Sequence, residues 1–264
     1  MEYLFVLVIG VIVGSFLNVC IYRLPLGKSI AWPSSHCPVC NIQIRPFDNI
    51  PVLSFLILRG KCRDCGSGIS IQYPAVELLT AITGWILLTV FSFNAVFFAY
   101  WVFVWILIVI TFIDLKYQLV PDVLSLPGIL VGLAVSSFIG VSGIRFSGPA
   151  LLNSLAGVLA GAGSIYLMDV FGRLAFPAKA KAAGGAVGFG DVKLMAMIGA
   201  FIGWKLVILT FFLAPIFGIF FGIYVYLREK QDVIPYGPFL SMGAFVSLLY
   251  GNKIISFLLP FGRV

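Results

Sequence analysis

Residues 95–116 read Ala-Val-Phe-Phe-Ala-Tyr-Trp-Val-Phe-Val-Trp-Ile-Leu-Ile-Val-Ile-Thr-Phe-Ile-Asp-Leu-Lys. From Ala95 to Ile113 no residue is charged, and a helix of that length crosses the roughly 30 Å hydrocarbon core of a bilayer. Asp114 ends the run. An acidic side chain at that position is costly to desolvate unless it is paired or used, so it stands as a functional candidate. The rest of the chain repeats the pattern. It has 264 residues, 61% hydrophobic and 10% charged, with a mean hydropathy of +1.10. A soluble domain of this length carries far more surface charge.

The reading is an all-α polytopic membrane protein with about eight transmembrane helices and a small zinc-ribbon-like cytoplasmic domain. Spans are expected at about 3–22, 76–93, 95–113, 123–141, 150–170, 189–203, 205–227 and 238–250. Gly251-Asn252-Lys253 interrupts the last, before an apolar piece, Ile254 to Phe261, that extends the span or lies at the interface. The segment Gly185 to Gly203 is short and Gly-rich, which suits backbone bordering a cavity rather than lipid. The first run carries Glu2 where a secretory signal carries basic residues, so it reads as an uncleaved span. With the N-terminus outside, thirteen of the 17 basic residues fall in inner loops; Arg145, Lys205, Lys253 and Arg263 fall outside. That asymmetry sets the orientation, and it accounts for the net charge of +7 without nucleic acid. Both termini are expected outside and the loop after the first span inside. The division is 1–22, a first helix; 23–75, a cytoplasmic zinc-binding loop domain with four cysteines; and 76–264, a membrane core.

That loop is too small for a large core and needs a staple. Cys37-Pro-Val-Cys40 and Cys62-Arg-Asp-Cys65 supply one. Two C-x-x-C knuckles offer four thiolates, the tetrahedral set of a closed structural zinc site. Disulfides are the alternative, which a reducing cytoplasm disfavours. Gly66 and Gly68 suit the turn after the second knuckle. Cys20, inside the first span, reads as a small buried hydrophobe. His36, the sole histidine, reads as a solvated loop residue, and its isolation argues against His-dependent hydrolase chemistry.

Among the acidic residues, Asp122 suits a helix N-cap after Pro121, and Asp169 pairs with Arg173 along one helix face. Glu77 opens the second span, where it pairs with loop arginines or lines a site. Asp191 sits in Gly188-Phe-Gly-Asp-Val-Lys193. Gly188 and Gly190 leave room for a close approach, and Lys193 is available to a charged neighbour. The expected topology puts Asp114 and Asp191 at the same membrane face, where two carboxylates sharing one proton can activate water against a peptide bond.

Several ordered segments carry a resemblance. They are Gly14-Ser-Phe-Leu-Asn-Val-Cys-Ile-Tyr-Arg-Leu-Pro25, Ser35-His-Cys-Pro-Val-Cys40, Asp48-Asn-Ile-Pro-Val-Leu-Ser54, Gly60-Lys-Cys-Arg-Asp-Cys65, Tyr73-Pro-Ala-Val-Glu77, Asp114 through Pro121-Asp122, and Gly188-Phe-Gly-Asp-Val-Lys193. Through them the chain closely resembles the bacterial type IV prepilin peptidases, intramembrane aspartyl proteases of the G-x-G-D class. The resemblance implies cleavage of a basic leader after glycine, from prepilins and type II secretion pseudopilins, at the cytoplasmic side of the inner membrane. It also implies N-methylation of the new N-terminus with S-adenosylmethionine. It maps Asp114 and Asp191 to the catalytic pair and does not carry Asp122 over. No glycine fingerprint marks the methyl donor's site; the resemblance points to the cytoplasmic loop and its flanking spans, with Gly14 to Asn18 and Glu77 as candidates. A transporter with intramembrane carboxylates is the competing class, but no internal repeat supports it.

Overall fold

The computed structural model describes residues 1–139, 150–175, 188–228 and 235–258; at 138–139 and 221–228 the helical backbone alone is described. The basic residues Lys179, Lys181 and Lys230 and the start of the Gly185 segment lie outside the described residues. Among the described residues there are eight α-helices and no strand. They are α1 (Glu2–Arg23), α2 (Leu53–Ile57), α3 (Gln72–Phe91), α4 (Ala95–Tyr117), α5 (Asp122–Ile139), α6 (Ala150–Ala175), α7 (Phe189–Arg228) and α8 (Gly237–Leu258). Six of the helices are long and apolar enough to cross a membrane; α5 is a shorter apolar helix. The chain divides into two compact units, Met1–Val109 and Ile110–Val264.

In the first unit, α1 packs on α3 through Gly10 and Gly14. A Cβ added at Gly10 would lie 2.5 Å from the Cα of Ala81, and one at Gly14 would lie 2.6 Å from the Cα of Glu77. Small residues four apart let two helix backbones touch, and in lipid that contact replaces the missing hydrophobic drive between helices. Trp101 of α4 fits the matching gap at Gly84, its indole N–H donating to Thr80 O at 3.4 Å. The opposite face of α1 presents Leu4, Phe5, Val8, Ile12 and Phe16 outward, as lipid contact requires.

The second unit is built around α7. Gly203 has φ +79° and ψ 173°, so the helical path is broken there. A Cβ on Gly161 of α6 would strike both the carbonyl of Met195 and Val207. Twelve helical residues extend about 18 Å, so these two can flank one glycine only if the chain doubles back. α7 is therefore a helical hairpin, and the two short spans expected around Gly203 are its arms. Counting both arms gives eight apolar segments among the described residues. The arm 189–202 is about 20 Å long, short of a full crossing. It survives because it is enclosed: Leu194, Met195, Met197, Ile198, Ala200 and Phe201 are all buried. Gly157 of α6 meets Gly199 backbone to backbone, and α5 covers another side, with Gly128 against Met197 and Gly132 against Ala200 and Phe201.

The last helix differs from expectation. It runs unbroken from Gly237 to Leu258, through Gly251-Asn252-Lys253. Gly251 does not interrupt it because its missing side chain is the seat for Leu206.

Candidate functional site

Three helix ends of the second unit converge. Asp114 lies in the last turn of α4, Asp191 in the first turn of α7, and Gly237 begins α8. Asp114 is buried, and its Oδ2 accepts the Gly237 N–H at 2.9 Å. Asp191 is partly buried, and its charge and that of Asp114 act on one another directly. The two residues that the sequence singles out, 77 positions apart, thus lie in one unit within electrostatic reach of one another.

The G-x-G-D stretch is explained by its neighbours. A Cβ on Gly190 would lie 3.0 Å from the Cβ of Val120, so the glycine admits the α4–α5 turn. Gly188 is exposed, and a Cβ there would sit 3.5 Å from Asp191 Oδ2. Gly188 thus leaves the Asp191 carboxylate open on that side. Lys193 does not face the aspartates: its Nζ donates to Asp122 Oδ1 at 2.6 Å and lies 5.1 Å from the Phe189 ring centroid. Asp122 is the first residue of α5 rather than a residue before it, and its carboxylate is engaged in that ion pair. The expected Asp169–Arg173 pair is present at 2.7 Å.

Sequence reasoning passed over Tyr236-Gly237-Pro238. Tyr236 O accepts the N–H groups of Phe239 and Leu240, which starts α8 at a fixed point. Its hydroxyl is buried with no partner among the described residues, and the ring lies within electrostatic reach of Asp191. A Gly-Pro step opening an apolar helix was the available signal.

Glu77 belongs to the first unit. It is buried, and Oε2 accepts the Val52 N–H at 2.7 Å. That bond holds a β-branched residue at φ +59°, an unfavourable backbone state for its type. No loop arginine pairs with it among the described residues. Nearby, Gly14 is filled by α3 and offers no cradle. Asn18 Nδ2 donates to Tyr73 O at 3.0 Å and to Gly14 O at 3.3 Å, which fixes the amide and leaves its buried Oδ1 without a partner among the described residues.

The loop of the first unit carries four cysteines whose sulfurs lie within 4.8 Å of one another. The Cys37 and Cys65 sulfurs are 3.8 Å apart, and a tetrahedral zinc with bonds of about 2.3 Å separates its sulfurs by about 3.8 Å. The two knuckles are copies of one hydrogen-bond pattern. Cys37 N–H donates to Ile42 O and Cys62 N–H to Ser67 O; Asn41 N–H returns to Cys37 O and Gly66 N–H to Cys62 O. Each ends in one isolated bridge, His36 with Gln43 and Lys61 with Gly68. Gly66 has φ +70°, and Asn41 takes the same state at φ +57°. Gly68 needs no such freedom. The N–H groups of Cys40 and Val39 push the Cys37 thiol down to about 6, and the Ser67 hydroxyl lowers Cys65. These donors favour the thiolate, the form a cation takes, at Cys37 and Cys65, whereas, against the pull of the Ile42 N–H, desolvation and the Cys37 and Cys65 sulfurs push Cys40 up to about 11. His36 is exposed, outside the cluster.

The profile of the bacterial peptidase A24 N-terminal domain matches residues 8–91, and that of the type IV leader peptidase family matches residues 101–223. A prepilin leader peptidase/N-methyltransferase of Stutzerimonas stutzeri is 35% identical over 98% of this chain and 94% of its own length. Proteins of the same name from Pseudomonas aeruginosa and Myxococcus xanthus are 34% and 37% identical, over 97% and 86% of this chain and 92% and 64% of their own lengths. No solved structure matches the chain.

Proposed function

The chain belongs to the type IV leader peptidase family, and on that premise we propose that it cleaves prepilin and pseudopilin leaders after a glycine, at the cytoplasmic face of the bacterial inner membrane. Asp114 and Asp191 are the catalytic pair. The ionised member takes a proton from water, whose oxygen attacks the scissile carbonyl carbon. The other member gives its proton to the carbonyl oxygen; as the gem-diol collapses, one hydroxyl returns a proton to that member, the first member hands the water's proton to the nitrogen, and the C–N bond breaks to release the amine. No acyl-enzyme forms. Gly188 and Gly190 keep the approach open, and Lys193 fastens the helix that bears Asp191 to α5. The observation that carries this reading is the convergence of the ends of α4, α7 and α8 on two interacting carboxylates. Asp114→Asn and Asp191→Asn, each inserted and folded, should lower leader cleavage by about 10²–10⁴-fold. Full cleavage by either variant removes that residue from the pair.

The four cysteines hold structural zinc, and the zinc loop faces the cytoplasm with both termini on the opposite side. All four ligand positions are protein thiolates, so the metal has no open position for water. Replacing Cys37 and Cys62 by serine should remove about one zinc per chain and expose the loop to protease. Protein that is metal-free yet fully ordered in the loop defeats this assignment.

N-methylation of the new N-terminus follows cleavage. S-adenosylmethionine, when bound, supplies an electrophilic methyl group to that amine. The support in this chain is Asn18 Oδ1, buried near Glu77 with no partner among the described residues, an acceptor ready for a donor group. Asn18→Leu should lose methylation of pre-cleaved pilin and keep leader cleavage. Retained methylation shifts the methyl-donor site elsewhere.

A further inference from the structure

Gly237 sits 123 residues from Asp114 along the chain and touches it at the carboxylate. Its N–H is one of the first-turn donors that no carbonyl of α8 can take, and it is aimed at Asp114 Oδ2, 2.9 Å away. Pro238 occupies the next position, where a helix loses nothing by a missing N–H. There is also no room for a side chain at 237. A Cβ there would lie 2.7 Å from Oδ2 and 3.2 Å from Cγ of Asp114. Asp191 has no such grip: no hydrogen bond to its carboxylate is present among the described residues, and Gly188 leaves space beside it.

The difference divides labour within the pair. A carboxylate oxygen that receives an N–H is using a lone pair, which suits the charged form; the first turn of a helix favours a negative charge as well. We propose that Gly237 is a positioning residue of the proteolytic site, holding Asp114 turned into the site as the charged base and leaving the proton to Asp191. The inference rests on the proteolytic reading of the two aspartates.

The test is Gly237→Ala. The added methyl falls on the far end of a flexible side chain, so Asp114 swings aside while α8 stays in place. Leader-cleavage kcat should fall about 10²-fold, as a displacement of about 1 Å produces, with KM within about twofold and an unchanged melting midpoint in detergent. Gly243→Ala is the control in the same helix. Its Cβ would meet the Thr210 backbone oxygen at 3.1 Å, so it should lower the midpoint and spare kcat. Asp114→Asn runs alongside. If Asp114→Asn is inactive while Gly237→Ala keeps kcat within about threefold, which is under 1 kcal/mol of barrier, the positioning role is overturned and the pair stands. If Asp114→Asn cleaves normally, the proteolytic reading itself falls. Should Gly237→Ala not fold, glycolic acid in place of Gly237 exchanges the N–H for an ester oxygen and adds no Cβ; wild-type kcat in that protein overturns the role equally.

Discussion

At the scale of single residues, the ion pairs of the two units carry different expectations. Lys193 and Asp122 are 2.6 Å apart, but the Asp122 side chain is 58% exposed. Exposed pairs contribute about 0.2–1 kcal/mol, so Lys193→Met should lower stability by less than about 1 kcal/mol. A double-mutant cycle with Asp122→Asn measures the coupling. Asp48 and Arg63 form a bidentate contact at 2.6–3.1 Å. The guanidinium of Arg63 holds the Asp48 carboxyl below its ordinary value. A lowered acid stabilises the fold above the unfolded value, about 3.9, and that share is lost as pH falls through the lowered one. Melting curves of wild type and Asp48→Asn should therefore differ near neutrality and converge in acid.

Elements show where a side chain is forbidden and where one is merely absent. Gly161 and Gly163 are two residues apart on α6. At Gly161 a Cβ strikes the Met195 carbonyl and cannot be accommodated by a rotamer, while nothing lies within 4 Å of Gly163. Gly161→Val should cost more than about 2 kcal/mol, as overpacking against backbone does. Gly163→Ala should be neutral or stabilising by up to about 1 kcal/mol. Thermal unfolding in one detergent compares them. The knuckles make a similar pair: Asn41→Gly should be tolerated, while Gly66→Val forces a β-branched residue into the left-handed region, at about 1–2 kcal/mol.

Much of this was legible in the chain, and for physical reasons. Long uncharged runs have one stable solution in lipid, so the membrane helices follow from hydropathy alone. Cys-x-x-C pairs announce four sulfurs, and an Asp closing an apolar run announces itself by its desolvation. The amide of Gly237 did not, because its role is performed by backbone and leaves no side chain to read. Nor could the sequence say that Gly251 continues a helix rather than breaking it. That depends on Leu206, a partner 45 residues away. The charge of Lys193 promises an acidic neighbour; which neighbour it takes is likewise a matter of packing.

At the scale of the molecule, reversal at Gly203 has a directional result. The hairpin returns the chain to the end of the second unit from which it set out, so the residues at 114, 191 and 237 share one rim and the far rim carries none of them. If the carboxylates on that rim carry the reaction, the expected outcome is one-sided activity. In sealed vesicles, substrate added outside should be cut only where that rim faces the medium, and vesicles of the opposite sidedness should show latency that detergent abolishes. Equal turnover in both populations, without leakage, would mean that the reacting peptide reaches the carboxylates through the lipid rather than from one aqueous compartment.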